Sequence, residues 1–260
     1  MAQVSKHSPV TADSITGEIG VSEQTLQQCR SPLQGAQYPQ ISQARAVSYA
    51  EASAISLVCY ADTILHFVES LRDDLRNQVI TISGAGKLAI NTAFRALEVG
   101  AKVVSLSDRN GSIIHPAGFT IDQLTTVQAG KSKQASLASI LRPMVASGEM
   151  TYYPAEKPWR RVQRATIALP CAVENEIDRA DAEALMESGV RYVFEGSTMS
   201  CTRAGVDVFE RSHLQGFSKV WYAPSQCLPL LCPCAVDREN LIILYRQSHN
   251  SCCGPCLGRK

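Results

Sequence analysis

The 260-residue chain has no long apolar run, no apolar leader and no surplus of either charge. Its first residues, MAQVSKHSPVTADS, lack the apolar core of a secretory leader, and no stretch reaches the ~18 consecutive apolar residues that cross a bilayer. The expectation is a cytoplasmic protein with no membrane partner. Lys and Arg number 25 against 24 Asp and Glu, so no global field draws the chain to nucleic acid. Lysine is also scarce early on, Lys6 being the only one before Gln78. What remains is ordinary for a folded core: 45% hydrophobic and 19% charged residues.

Composition divides the chain into three parts. Residues 1–45 are rich in Gln and Ser and broken by Pro9, Pro32 and Pro39, a composition that buries little surface. Residues 46–225 carry the regular patterns. From Tyr49 to Phe67, apolar residues recur at helical spacing (Ala50, Ala54, Leu57, Val58, Ala61, Ile64, Leu65). Short apolar runs follow at 79–83, 102–107, 150–153, 166–170, 191–194 and 219–224, alternating with helical patterns over Ala89–Val99, Ile121–Leu141, Ala180–Ser188 and Ala204–Arg211. Strands separated by helices of this length pair in parallel, which implies an α/β fold with a doubly wound, Rossmann-type parallel sheet between irregular terminal extensions. Residues 226–260 form the last part and hold six of the ten cysteines.

The strongest local pattern is VITISGAGKLAINTAFRALEVGAKVVSLSD, a strand running through Gly84-Ala85-Gly86-Lys87 into a helix. Gly84 permits a tight turn, Gly86 lets backbone approach a pyrophosphate, and Ala89 is small enough for close helix packing. The helix amino terminus then faces the anion. The plainer alternative is a turn that needs glycine for its backbone angles; the strand and helix on either side favour the dinucleotide reading. Asp108, 24 residues after Gly84, stands where a ribose-binding acid belongs, although Asp108-Arg109-Asn110-Gly111 is also good turn chemistry. Arg109 can pair with a 2′-phosphate and favour NADP over NAD, or serve as an exposed loop arginine. Asn175 and Thr198 stand at expected carboxyl ends of strands, where they either contact the ligand or cap the following helices.

Four blocks in order resemble the NADP-specific glutamate dehydrogenases of the Glu/Leu/Phe/Val dehydrogenase family. They are EASAISLVCY at 51–60, the Gly-rich block through SLSDRNGSII at 79–114, PWRRVQRATIALPCAVENE at 158–176 and SGVRYVFEGSTMSCT at 188–202, with a continuation to VWYAP at 220–224. The resemblance implies a coenzyme domain for reversible NADP-dependent deamination of L-glutamate to 2-oxoglutarate and ammonia. It places the coenzyme on Gly84, Ala85, Gly86 and Lys87, the ribose on Asp108, and the nicotinamide-side contacts on Ser53, in place of a threonine, and Asn175. The family's glycine-turn asparagine is here Lys87, the threonine and glutamine before Asn175 are Val173 and Glu174, and the asparagine of the EGxNM-like block is Thr198. Val10 to Gly20 resembles the family's aspartate segment, making Asp13 the proton-transfer candidate, against a solvated aspartate on an arm.

The family's substrate lysines have no counterpart before Gln78. The alternative is therefore a non-catalytic dinucleotide-binding chain, or one that joins a protein partner or further subunit. After Pro224 the sequence leaves the family pattern. Cys253-Gly254-Pro255-Cys256 has the spacing of a redox dithiol, and Cys232 with Cys234 can join it at a zinc. The irregular spacing fits an altered reading frame better, so no metal is expected.

Overall fold

The computed structural model describes residues 48–68, 75–215 and 220–225, the side chains of Tyr49, 66–68 and 213–215 excepted. Asp13, the 1–45 extension and the Cys-rich tail lie outside the described residues. The chain divides into two units after Ala50, and the fold below is that of the second.

A seven-stranded sheet organises it, with strands β1 (Val79–Ile82), β2 (Lys102–Asp108), β3 (Gly111–Ile114), β4 (Thr151–Pro154), β5 (Ile167–Leu169), β6 (Tyr192–Phe194) and β7 (Trp221–Ala223) in the order β4-β3-β2-β1-β5-β6-β7. Strands β2, β1, β5, β6 and β7 pair in parallel. The doubly wound parallel sheet is as expected, and β3, which pairs antiparallel with both β2 and β4, adds an antiparallel edge to it. β3 is not among the strands expected from sequence, because its four residues follow directly on the Asp108-Arg109-Asn110-Gly111 turn. That turn closes a hairpin, Asp108 pairing with Gly111, and a Cβ at Gly111 would run into the Tyr153 carbonyl.

Apart from β2, whose register slips, alternate side chains of the strands enter different cores, as a sheet covered on both faces requires. Ile80, Ile82, Val103, Ile167, Leu169, Tyr192 and Phe194 join one core. On that face lie α1 (Tyr49–Val68), α2 (Lys87–Glu98) and α3 (Ile121–Ser132). The stripe Ala54, Leu57, Val58, Ala61, Ile64 and Leu65 is buried, as its spacing predicts. Val104, Ala168 and Val193 join the other core, under a 3-10 turn at Pro158–Arg160, α6 (Arg179–Glu187) and α7 (Arg203–Gln215).

The single helix expected over Ile121–Leu141 is two pieces, α3 and α4 (Leu137–Ile140), and a further short helix, α5 (Arg142–Ala146), follows. Gln134 adopts a left-handed conformation (φ 63°) and turns the chain after α3. The return seats Ile140 so close to Gly130 that a Cβ there would meet it at 2.5 Å.

In the middle of the sheet the β1–β2 register slips between Ile80 and Thr81. Ser105 repairs the ladder there, its Oγ accepting from the Ile82 amide and donating to the Ile82 carbonyl, each at 3.0 Å. Buried backbone groups left without such partners would each cost about 1–3 kcal/mol. The strand leading into the glycine turn is thereby held in place.

Candidate functional site

The strand order reverses direction at β1, whose neighbours are β2 on one side and β5 on the other. Loops following β1 and β5 therefore diverge from a crevice at the carboxyl edge of the sheet, where open α/β sheets take ligands. Gly84 lies at that point with φ +88°, and a Cβ on it would stand 2.9 Å from the Cys171 carbonyl oxygen and 3.2 Å from the Ala89 Cβ. The turn thus needs glycine for both its backbone angle and its contact with the β5 loop. Gly86 is different: it is exposed and a Cβ there would meet nothing within 4 Å. Its open side is where backbone can approach a ligand.

Gly86 is also the N-cap of α2, and no side chain caps the helix. α3 and α6, by contrast, have complete capping boxes on Thr120 and Asp178. The first α2 turn contains no acid, and Lys87, its first residue, is exposed. Unpaired amides at the positive end of a helix dipole make an anion cradle. Ala85 is buried and packs the turn on the sheet. Ser107 secures the other side, its Oγ accepting from the Gly84 amide at 2.8 Å.

Asp108 ends β2 beside this cradle, as its position predicts, but its carboxylate is already engaged. Oδ2 accepts from Lys131 Nζ and from the Leu137 amide, both at 2.7 Å, and Oδ1 accepts from the Asn110 amide at 2.9 Å. Burial alone would raise its pKa; the Lys131 ammonium and the two amides outweigh that and hold the carboxyl below the usual range. The turn reading of Asp108 is seen directly in the Asn110 amide on Oδ1, and that oxygen keeps a lone pair for a further donor. Arg109 is exposed on the turn itself. Lys131 was missed, because its place beside Asp108 depends on the path from α3 to α4.

Across the crevice, the β5 and β6 loops are tied together. The Pro170 carbonyl accepts from the amides of Gly196 and Ser197, at 2.9 and 3.0 Å, and the Met199 carbonyl accepts from the Asn175 amide at 2.9 Å. Buried Glu195 braces the second loop through the amides of Cys201 and Ser225. Asn175 is exposed in a left-handed conformation (φ 54°), and Thr198 is exposed one residue before Met199. Neither caps a helix: Asp178 caps α6, and Thr202 Oγ1 accepts from the Gly205 amide at the start of α7. Exposed Val173 and Met199 add apolar surface to these loops.

Ser53 is half-buried on α1. Leu57, one turn on, reaches the strand-end loops, since a Cβ on Gly196 would meet Leu57 Cδ2 at 2.9 Å and Cys171 Sγ at 2.5 Å. α1 therefore closes one end of the crevice.

The acid that sequence reasoning passed over is Glu176. Its buried Oε1 accepts from Ser83 Oγ at 2.8 Å and from the Ala172 amide at 3.2 Å. Ser83 Oγ in turn accepts from the Cys171 amide at 3.0 Å. Burial pushes the Glu176 carboxyl up to about 7, against the Ser83 and backbone hydrogen bonds and the nearby Lys157 charge. Among the described residues no group of three His, Cys, Asp or Glu could hold a metal, and no helix is long and apolar enough to cross a membrane.

The family model described as glutamate/leucine/phenylalanine/valine dehydrogenase matches residues 47–227. An NADP-specific glutamate dehydrogenase of Saccharomyces cerevisiae is 36% identical over 185 residues, covering 69% of this chain and 41% of that protein. That of Hebeloma cylindrosporum is 42% identical over 154 residues, covering 59% and 33%. Among solved structures, Plasmodium falciparum glutamate dehydrogenase aligns with a TM-score of 0.61 at 27% identity, covering 78% of this chain and 39% of that one. The matched part thus spans less than half the length of each of these three relatives.

Proposed function

The chain belongs to the glutamate/leucine/phenylalanine/valine dehydrogenase family, and on that premise we propose that residues 46–225 form the NADP-binding half of a glutamate dehydrogenase, acting on L-glutamate or on 2-oxoglutarate with ammonia. The observation that carries the reading is the open, uncapped glycine turn at the strand-order reversal.

The residues present fit the coenzyme. Amides of the first α2 turn and Lys87 hold the pyrophosphate, with Gly86 leaving room for it. At the end of β2, Asp108 is neutralised by Lys131, and Arg109 adds a further positive charge. A local surplus of one positive charge suits a 2′-phosphate better than a bare ribose hydroxyl, supporting NADP over NAD. Asn175, Thr198 and Ser53 serve the nicotinamide side, with Val173 and Met199 offering apolar surface to a flat ring. When bound, the coenzyme supplies hydride acceptance and donation. The chain's own contribution is to bind and orient it; Asp13 is the candidate for moving a proton. Further subunits or a partner protein are the expected company of the domain.

NADPH titration of the purified chain tests the coenzyme reading, and loss of NADPH absorbance with 2-oxoglutarate and ammonium tests the activity. Gly84→Val should lower NADPH affinity at least 100-fold, because the new side chain strikes the Cys171 carbonyl and forces φ out of the left-handed region. Unchanged affinity in that variant would overturn the placement of the site.

A further inference from the structure

The two walls of the crevice are joined beneath its floor. Ser83 lies one residue before the glycine turn and Glu176 one residue after Asn175, and the 2.8 Å hydrogen bond between them is buried. The same carboxylate oxygen takes the Ala172 amide, and the Cys171 amide closes the circuit on Ser83 Oγ. Lys157 fixes the main chain at this point, its Nζ donating to the Glu176 carbonyl and to Asp181 Oδ2, each at 2.6 Å. Any shift of the Asn175 segment therefore pulls on the backbone that shapes the anion cradle.

We propose, building on the coenzyme reading above, that Glu176 is a positioning residue for the dinucleotide: its buried carboxylate couples the pyrophosphate turn to the Asn175 loop and takes up a proton from solvent as the coenzyme binds.

The second half of the proposal follows from charge. Few ionisable groups face Glu176 from the elements around it. Lys157 favours the ionised form, but its primary partner is Asp181, which Arg160 also engages. The Cys171 and Cys201 thiols, at the ends of the β5 and β6 segments, are pushed up by burial and stay neutral. α2 presents no acid in its first turn, and Lys87 there is exposed. The carboxylate thus sits near the balance point between its two forms at neutral pH. A pyrophosphate arriving at the adjoining turn adds negative charge and tips that balance toward the neutral acid. Protonated Glu176 can still accept from Ser83 through its carbonyl oxygen, so the bridge survives.

The test is calorimetric titration of NADPH into the full chain at pH 6 and pH 8, in two buffers of different ionisation enthalpy. Wild type, Glu176→Gln and Glu176→Ala are compared, with thermal melts as a control of folding. The ligand's own 2′-phosphate titrates in this range and cancels in the difference between proteins. Wild type should take up a fraction of a proton more than Glu176→Gln, and its affinity should fall roughly fivefold more from pH 6 to pH 8. Glu176→Gln keeps an acceptor for Ser83 and should hold the wild-type affinity of pH 6 with the smaller dependence, whereas Glu176→Ala should bind at least tenfold more weakly at both pH values. Equal proton uptake in wild type and Glu176→Gln, or wild-type affinity in a folded Glu176→Ala, overturns the role of Glu176. If Glu176→Ala does not fold, the Gln comparison decides alone. Absence of NADPH binding by wild type overturns the coenzyme reading and this inference together, so the two failures are told apart.

Discussion

β2 and β5 flank β1 on opposite sides, and each leads to an acid at the same edge of the sheet, yet the two acids are kept in opposite ways. Asp108 is given a cation and two amides, which hold it ionised well into acid. Glu176 is given a hydroxyl and amides but no direct cation, and burial raises its carboxyl to about 7. The difference shows that position at a strand end does not set an acid's behaviour; the loops that close over it do. At the end of β2 the α3–α4 turn delivers Lys131 and the Leu137 amide. After β5 the carboxylate is buried and meets only the Ser83 hydroxyl and backbone amides.

Removing the first acid should have the larger effect. Asp108→Ala leaves the Leu137 amide and the largely buried Lys131 ammonium without their acceptor. The expected loss is about 3 kcal/mol of unfolding free energy at pH 7, read by urea denaturation. The pH dependence carries the sign: a depressed acid contributes stability that is present above its unfolded pKa of 3.8 and lost as pH falls through its lower folded value. Wild type should thus lose that increment only below about pH 4, and Asp108→Ala should lack this part of the acid limb. An unchanged acid limb would mean that the Lys131 contact has no weight in solution.

Neutralising the second acid should work the other way. Because Glu176 is raised from 4.5 to about 7, the folded state holds its proton more tightly than the unfolded chain, and stability falls as pH rises across that window. Glu176→Gln should therefore be stabilising by about 2 kcal/mol at pH 8 and near neutral at pH 5, a rise in melting temperature of roughly 4–8 °C at the higher pH. A variant equally stable relative to wild type at both pH values would place Glu176 with Asp108, as an acid ionised throughout, and dissolve the contrast.

Much of the frame was legible because it is periodic. The stripe on α1 and the β1–turn–α2 unit are local patterns, and the strands around the reversal follow from apolar runs of the right length. The glycine turn was legible for the same reason: Gly84 must be glycine because of φ +88°, and that demand is written at one position. β3 escaped because GSII is four residues long and follows a turn that reads equally well as the end of β2. Glu176 and Lys131 escaped because burial and pairing are supplied by residues 93 and 23 positions away, Ser83 and Asp108. No window of single sequence contains such a pair. Asn175 and Thr198 came through as candidates by their place after strands, and it was the structure that removed helix capping as their explanation.

The smallest change on the scale of stability can then be the most informative about the Asn175 loop. Asn175 holds a left-handed conformation, φ 54°, which alanine adopts at a cost of about 1–2 kcal/mol and glycine adopts freely. Asn175→Ala would mix backbone strain with the lost amide, while Asn175→Gly removes only the side chain and preserves the amide that donates to the Met199 carbonyl. Asn175→Gly should leave the unfolding free energy within about 0.5 kcal/mol of wild type. If the carboxamide contacts the coenzyme, NADPH affinity should fall roughly tenfold, the value of one hydrogen bond of about 1.4 kcal/mol, with affinity for adenosine 2′,5′-bisphosphate unchanged. Equal loss for both ligands would mean that the loop acts on the glycine turn through Glu176 and Ser83, and that Asn175 itself touches nothing on the nicotinamide.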